Sequence, residues 1–462
     1  MRNSLFLKIF IIGFVLLLIV IPLTMIGAIV QERQTRQNEA VRDIGASYAG
    51  TQRLLGPVLV MPYSEFYTVD EITTDVDGKK IKQPVEHRVE HARHVLPGDL
   101  VMQGELATHI KKRGIFRAPV YEWQANISGN FLVPEAVASE RHRTDSRILW
   151  GQPYVALGLS DMRGVTGKPE LDWGGKPVGF VKGGGIGVSD SGMIAPITPP
   201  ADGKPASITF KLKLGLRGTE RLSIVPLGEN NRIQINSAWP HPSFGGRFLP
   251  DAASQSIGPE GFRATWNISS LASAAGQQFL RAAGSSEGKC ADASCLEAIE
   301  LRLVEPVNIY TQSDRALKYG FLFVGITFAA FFLFEIMRRL RIHPAQYFMV
   351  GLAQALFFLL VLSLSEHIAF SLAYLAAASA SVGLIGFYLA FVMQSARRGI
   401  VFGGVLGLLF AALYGLLVSE DIALMLGSLL LFGLLATAMI LTRRFDWYRL
   451  GNQSEGATAS PQ

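Results

Sequence analysis

The chain has 462 residues, of which 49% are hydrophobic and only 17% charged, against about 25% charged in ordinary soluble domains; its mean hydropathy is +0.29. The deficit is local, because residues 31–316 hold 32 Lys/Arg and 31 Asp/Glu whereas residues 317–462 hold 9 and 6. These figures exclude a soluble enzyme, a disordered tail protein and a disulfide-stapled mini-domain, and the near-neutral large segment makes a pI of 9.2 no argument for nucleic-acid binding.

About 20 apolar residues cross a hydrocarbon core as helix, and six stretches qualify: 9–30, 317–334, 345–364, 368–392, 400–418 and 422–441. The expected fold class is therefore a membrane protein, an α-helical bundle of six spans with a large β-rich exported domain inserted between spans 1 and 2. Its parts are an anchor (1–30), the exported domain (31–316), a five-span bundle (317–442) and a cytoplasmic tail (443–462), whose small, polar end at 451–462 should be disordered. No span carries a charge at its centre, and Lys318 at the start of the second can snorkel to the interface. The first stretch exceeds the 7–15 apolar residues of a signal peptide and lacks an A-x-A site, which favours an uncleaved anchor with Pro22 near its far end.

Basic residues set the direction. Arg2 and Lys8, Arg338, Arg339 and Arg341, Arg397 and Arg398, and Arg443, Arg444 and Arg449 all fall on one side. The turns Ser365-Glu366-His367 and Ser419-Glu420-Asp421 on the other side hold no Lys or Arg. Both termini are expected in the cytoplasm and residues 31–316 outside, in the periplasm of a bacterial inner membrane. The lipid bilayer is the first implied partner.

Residues 31–54 are polar and free of Pro, and should continue the first helix. Alternation then takes over at 121–131, 208–216, 262–268 and 299–303, as in half-buried antiparallel strands punctuated by Gly and Pro. A short helix is expected around 271–283.

Several local patterns resemble chemistry. Cys290 and Cys295 are a disulfide candidate in an oxidising compartment, with free thiols as the alternative; further zinc ligands are not nearby. His87, His91 and His94 have spacing for a metal on a helix, yet their segment alternates, which favours solvated strand histidines. Gly284-Ser-Ser-Glu-Gly288 spells a nucleophile elbow without the strand and helix it needs. Lys182-Gly-Gly-Gly-Ile-Gly187 lacks the ending of a phosphate loop and reads as a turn. Trp239-Pro-His-Pro242 is the most unusual local sequence, readable as a packed corner around Trp239 and His241, as a recognition surface, or as a catalytic His without a partner. Asp314, Arg315, Lys318, Glu366 and His367 lie near one membrane face. A pair between Glu366 and Arg315 or Lys318 would couple domain and bundle, whereas the bland alternative is solvated helix caps. No cofactor, metal or catalytic residue is implied.

Longer blocks carry a family resemblance. Ser237-Ala-Trp-Pro-His-Pro-Ser-Phe-Gly-Gly-Arg-Phe-Leu-Pro250, Ser313-Asp-Arg-Ala-Leu-Lys-Tyr-Gly320, Thr327-Phe-Ala-Ala-Phe-Phe-Leu-Phe-Glu335, Arg341-Ile-His-Pro-Ala-Gln-Tyr347 and Leu362-Ser-Leu-Ser-Glu-His367 resemble the CreD family of cell-envelope-integrity proteins over nearly the whole chain. The cysteine-bearing loop at 285–295 departs from it. The resemblance implies an inner-membrane protein under a two-component envelope-stress system, linked to envelope integrity, β-lactam response and colicin tolerance. It carries over no catalytic residue. The leading expectation is a non-enzymatic factor whose exported domain binds an unknown envelope protein or cell-wall component, with no nucleic-acid partner. A transporter is the second reading and a periplasmic hydrolase the third.

Overall fold

The computed structural model describes residues 2–443 apart from 75–79, 134–142, 144, 185, 187, 189–190, 199–205, 285–294, 306–307, 339–341 and 420–422. The chain forms two compact units, one of Met1–Asn38 with Val307–Gln462 and one of Glu39–Pro306. Its helices are α1 (Arg2–Ser47), α2 (Ala275–Gly284), α3 (Ile309–Arg338), α4 (Pro344–Ser365), α5 (Phe370–Val392), α6 (Ala396–Val418) and α7 (Ala423–Thr442). Five of them, α1 and α3–α6, are long and apolar enough to cross a bilayer; the described part of α7 adds the shorter apolar stretch Met425–Thr437.

In the helical unit, α1 buries Val15, Ile19, Leu23, Ile26 and Val30, a stripe spaced by three and four residues as helix geometry requires. Phe10, Phe14, Leu17, Ile21 and Met25 on the remaining surface are exposed. A helix that is apolar on every side belongs in lipid. α3 starts at Ile309, eight residues before the apolar stretch read from the sequence, because Tyr310, Ser313, Ala316 and Leu317 already bury one face. Helices approach closely where a side chain is missing. A Cβ on Gly351 of α4 would lie 2.8 Å from Ile19 Cγ1 of α1 and 2.9 Å from Phe328 Cζ of α3, so these three helices meet there.

The second unit is β-rich. Its strands are β1 (Gln52–Thr74), β2 (Lys80–Val95), β3 (Asp99–Arg113), β4 (Phe116–Val133), β5 (Arg147–Trp150), β6 (Tyr154–Leu159), β7 (Val165–Trp173), β8 (Lys176–Gly179) and β9 (Val181–Lys182). They continue with β10 (Gly192–Pro196), β11 (Ala206–Thr219), β12 (Arg221–Ile224), β13 (Asn230–Ser237), β14 (Pro242–Gly246), β15 (Ser256–Gly258), β16 (Gly261–Ser269) and β17 (Ile299–Leu303). The alternating segments of the sequence lie within β4, β11, β16 and β17, and the short helix is α2. The continuation of α1 stops at Ser47, not at 54, because Gln52–Leu54 pair in parallel with β12.

One sheet has the order β14-β17-β12-β1-β6-β10-β9, with β2 and β5 also on β1, and the other β15-β16-β13-β3-β4-β11-β7-β8. They share one core, to which Leu59, Met61 and Leu157 contribute from the first sheet and Trp123, Phe210 and Trp266 from the second. Such face-to-face packing satisfies the apolar face of each sheet. Phe279 of α2 covers the other side of the first sheet against Val58, Val60 and Ala156.

The end of α1 is tied into this unit. Ile44, with Val41 and Tyr48 beside it, packs on Ala118 and Val120. The Asp161 carboxylate accepts from Gly50 N at 3.0 Å and from Arg163 N, Nε and Nη2 at 2.7–3.0 Å, while Arg163 Nη1 reaches the Ala46 carbonyl. The Arg163 guanidinium is the main cause that lowers the Asp161 pKa from 3.8 to about 2. A depressed carboxylate pKa stabilises the fold above the unfolded value and loses that contribution as pH falls through the folded value. The tie should therefore weaken between about pH 4 and pH 2. In Asp161→Asn, acid unfolding followed by tryptophan fluorescence should lack this component and start from lower stability at pH 7; an unchanged acid profile would refute the assignment.

Candidate functional site

Among the described residues of the helical unit, two carboxylates are withdrawn from solvent, both on the α1/α3/α4 contact. Glu335 ends the apolar run of α3, and its side chain is only 4% exposed. Its Oε1 accepts from Lys8 Nζ of α1 and from the Ile342 amide at 2.9 Å, and its Oε2 accepts from Tyr347 Oη of α4 at 2.9 Å. The next residues build the start of α4: His343 Nδ1 accepts from Ala345 N at 3.2 Å, Gln346 Oε1 accepts from His343 N at 3.1 Å, and Pro344 opens the helix. This is a capping box with a proline where no amide is needed.

Glu366 follows α4. Arg33 Nε of α1 lies 3.5 Å from its Oε1, and Tyr310 Oη of α3 donates to the same oxygen at 3.2 Å. Asn308 caps α3 by accepting from Tyr310 N at 3.0 Å, and its amide donates to Gln37 of α1 at 3.2 Å. Lys8 and Arg33 are 25 residues apart on one helix, or roughly 37 Å at 1.5 Å per residue. That exceeds a hydrocarbon core of about 30 Å. The two ion pairs thus fasten α1 at its two membrane ends. Between them Gln354 Nε2 of α4 donates to Thr327 Oγ1 of α3 at 2.6 Å, both side chains being buried.

The expected partner of Glu366 needs correction. Lys318 pairs with Asp314 on its own helix at 2.6 Å and is well exposed, because one helical turn separates them. The partners of Glu366 are Arg33 and Tyr310; Arg315 is half-buried on α3, and His367 is exposed with its amide on Leu364 O. Glu420 and Asp421 lie outside the described residues. Glu335, Lys8, Tyr347 and Arg33 were missing from the sequence-based candidates. The one available signal was the position of Glu335 immediately after an apolar run.

In the β-rich unit Trp239 is half-buried against the core, and its Nε1 donates to His241 O at 3.1 Å; the same carbonyl accepts from Val304 N at 3.3 Å. The His241 ring is exposed. His87 and His91 stack on Tyr67 and Tyr63 on one face of β2, while His94 turns to Phe279. Among the described residues no cluster of three His, Cys, Asp or Glu could hold a metal. Cys295 is disulfide-bonded; Cys290 and residues 285–288 of the nucleophile-elbow spelling lie outside the described residues.

A further carboxylate, Glu65 of β1, is buried. It accepts from Ser146 Oγ and from Arg143 N at 3.1 Å, and His91 Nε2 lies 3.5 Å from its other oxygen. A hydrolase relay places the imidazole between serine and acid. Here the acid stands in the middle, an arrangement that pins Arg143 and Ser146 to β1.

Truncating Glu335 removes the acceptor of three donors, so Glu335→Ala should cost about 3–5 kcal/mol of stability, the range for a broken buried pair. Arg33 is 39% exposed, so Arg33→Ala should cost nearer 1 kcal/mol, and Lys318→Ala less than that. Chemical unfolding in mixed micelles gives the ranking, and equal losses would contradict the assignment. For the half-buried Trp239, Trp239→Ala should cost about 2–3 kcal/mol and His241→Ala under 0.5 kcal/mol, as for an exposed surface change; the midpoint of thermal unfolding decides.

The family model described as Inner membrane protein CreD matches residues 4–448. "Inner membrane protein CreD" of Escherichia coli (strain K12) is 33% identical over 434 residues, covering 94% of this chain and 91% of the relative. The blocks noted in the sequence fall on the geometry above: 327–335 ends at Glu335, 341–347 holds the α4 cap and Tyr347, and 362–367 holds Glu366. The chain belongs to the CreD family of inner membrane proteins.

Proposed function

We propose that this chain is a non-enzymatic envelope-integrity factor, in which six membrane spans hold a periplasmic β-rich domain that binds an envelope protein or a cell-wall component. Both termini lie in the cytoplasm in this reading, as the distribution of Lys and Arg around the spans favours. The observation that carries it is the pair of fastenings on α1. The buried carboxylate Glu335 and the largely buried Glu366 are engaged by Lys8 and Arg33, so the polar chemistry of the α1/α3/α4 contact holds helices together. Charged groups of a transport path need a water-filled cavity or a relay between them. The Gln354–Thr327 contact is instead a neutral helix-to-helix bond.

Topology is the direct test. Reporter fusions at Gly50, Gly228 and Ser365 should read periplasmic, and those at Arg339, Arg398 and Gly451 cytoplasmic. A cytoplasmic reading at Gly228 would overturn the proposal, since an envelope-binding domain has to be exported. Loss of envelope integrity on Glu335→Ala should follow loss of the protein from the membrane; a stable, membrane-inserted Glu335→Ala protein without function would favour a transport role for that carboxylate.

A further inference from the structure

α5 and α6 form an antiparallel pair joined by the turn at 393–395, and near that turn they touch. A Cβ on Gly399 of α6 would lie 2.8 Å from Ala390 Cα of α5, and one on Gly386 of α5 would lie 3.7 Å from Gly403 Cα of α6. Glycines at these crossing points let the two backbones meet with no space between them. Towards the other end of the pair, rings stand where the glycines were. The Tyr374 ring of α5 lies 5.1 Å from Tyr414 of α6, and Phe357 of α4 lies 4.4 Å from Phe410 of α6. Tyr374 Oη donates to the Phe410 carbonyl at 2.7 Å, which fixes the spread.

The wider half holds an open groove of about 500 Å³. Ala378 and Ser379 of α5 and Gly407 and Ala411 of α6 are short enough to leave this room, and Leu372 and Leu375 form an exposed rim. On α5 the lining runs from Ser371 to Val382, about 16 Å at 1.5 Å per residue. That is close to half of a hydrocarbon core of roughly 30 Å. The groove thus begins at the membrane end of α5 and stops near mid-membrane, where the helices close on each other.

Its surroundings and its width decide what can lie in it. The groove opens across Leu372 and Leu375, so it continues the apolar surface that α5 and α6 turn to the bilayer. α7 does not cover it. A Cβ on Gly427 of α7 would lie 3.9 Å from Leu416 Cδ2 of α6. Leu416 is nine residues from Gly407, or two and a half turns of about 3.6 residues, and so faces the opposite side of α6. A helix of a second copy is too wide. The groove's volume over its length leaves a cross-section of about 30 Å², whereas a helix 10–12 Å across needs roughly 80–110 Å². A single hydrocarbon chain is narrow and apolar, and it is as long as one leaflet is deep.

We infer that the α5/α6 groove is a binding site for one acyl chain of a bilayer phospholipid, drawn from the leaflet that the 366–369 turn borders. The chain lies between two helices held apart by fixed rings, which separates this site from the one-sided contact of boundary lipid.

The test uses the full chain in nanodiscs of phosphatidylethanolamine and phosphatidylglycerol containing a phospholipid with a photoreactive diazirine in one acyl chain. The diazirine sits near the glycerol in one preparation and near the chain end in another. After illumination, mass spectrometry should find adducts at 371–375 and 411–414 with the first probe, and at 378–382 and 407 with the second. They should exceed by about tenfold those at Leu356 and Leu360 of α4, which are exposed at similar depths. Labelling at equal levels on α4 and in the groove would overturn the site, and the reverse order of the two probes would overturn the leaflet.

Gly407→Leu/Ala411→Leu fills the groove without a clash, since the nearest atom to a Cβ at 407 is Val382 Cγ1 at 4.0 Å, and Leu is a better helix former than Gly. The variant should lose the groove adducts about tenfold with an unchanged or higher Tm; adducts at the parent's level would overturn the inference. A disulfide between two chains carrying Ala411→Cys would overturn it in favour of a second copy.

Discussion

A carboxylate inside a helix bundle has to be met by donors, because lipid and packed apolar side chains solvate no charge. Glu335 meets that demand with an ammonium from α1, a backbone amide from the turn into α4 and a phenol from α4 itself. Three segments are thereby fixed by one side chain. The arrangement also joins the two parts of the helical unit that the β-rich unit separates in sequence, since Lys8 and Glu335 are 327 residues apart. Glu366 does the same at the far end of α1 with Arg33. Between these points the contact is apolar and tight, with Gly351 admitting Ile19 and Phe328.

Hydropathy made the five long apolar helices legible because each needs only a local run of about 20 apolar residues. Helix limits were less legible: residues 309–316 are polar enough to escape such a window, yet one buried stripe keeps them helical, and the Pro-free continuation of α1, expected to reach 54, ends at Ser47. Period-two alternation exposed β4, β11, β16 and β17. It reached β2 only through the alternating histidine segment and did not expose its long partner β1, where Pro57 and Pro62 interrupt the pattern. Nor did it expose the parallel pairings of β3 with β13 and β1 with β12, which depend on contacts distant in the chain.

The candidate site divides along the same line. Glu366 was legible as an acidic turn residue, but its partners were not, since nothing near 366 points to Arg33. The nearer cation, Lys318, is one turn from Asp314 and takes that partner. Glu335 sits one residue beyond the apolar run and reads as a helix end until the fold brings Lys8 and Tyr347 to it. In the β-rich unit, the Trp239 corner is held by an indole bond to the His241 carbonyl rather than by the imidazole, which leaves the histidine ring in solvent.

The central claim is that Lys8 and Glu335 act as one unit fastening α1 to the bundle. The most direct measurement is a double-mutant cycle on Lys8→Met and Glu335→Gln, read by reversible unfolding of the full chain in mixed micelles. Gln retains an acceptor for the Ile342 amide, so the cycle isolates the charge pair. Coupling above about 1 kcal/mol is the predicted result, because side chains in direct contact depart from additivity. Losses that add to within about 0.3 kcal/mol, the behaviour of independent sites, would contradict it.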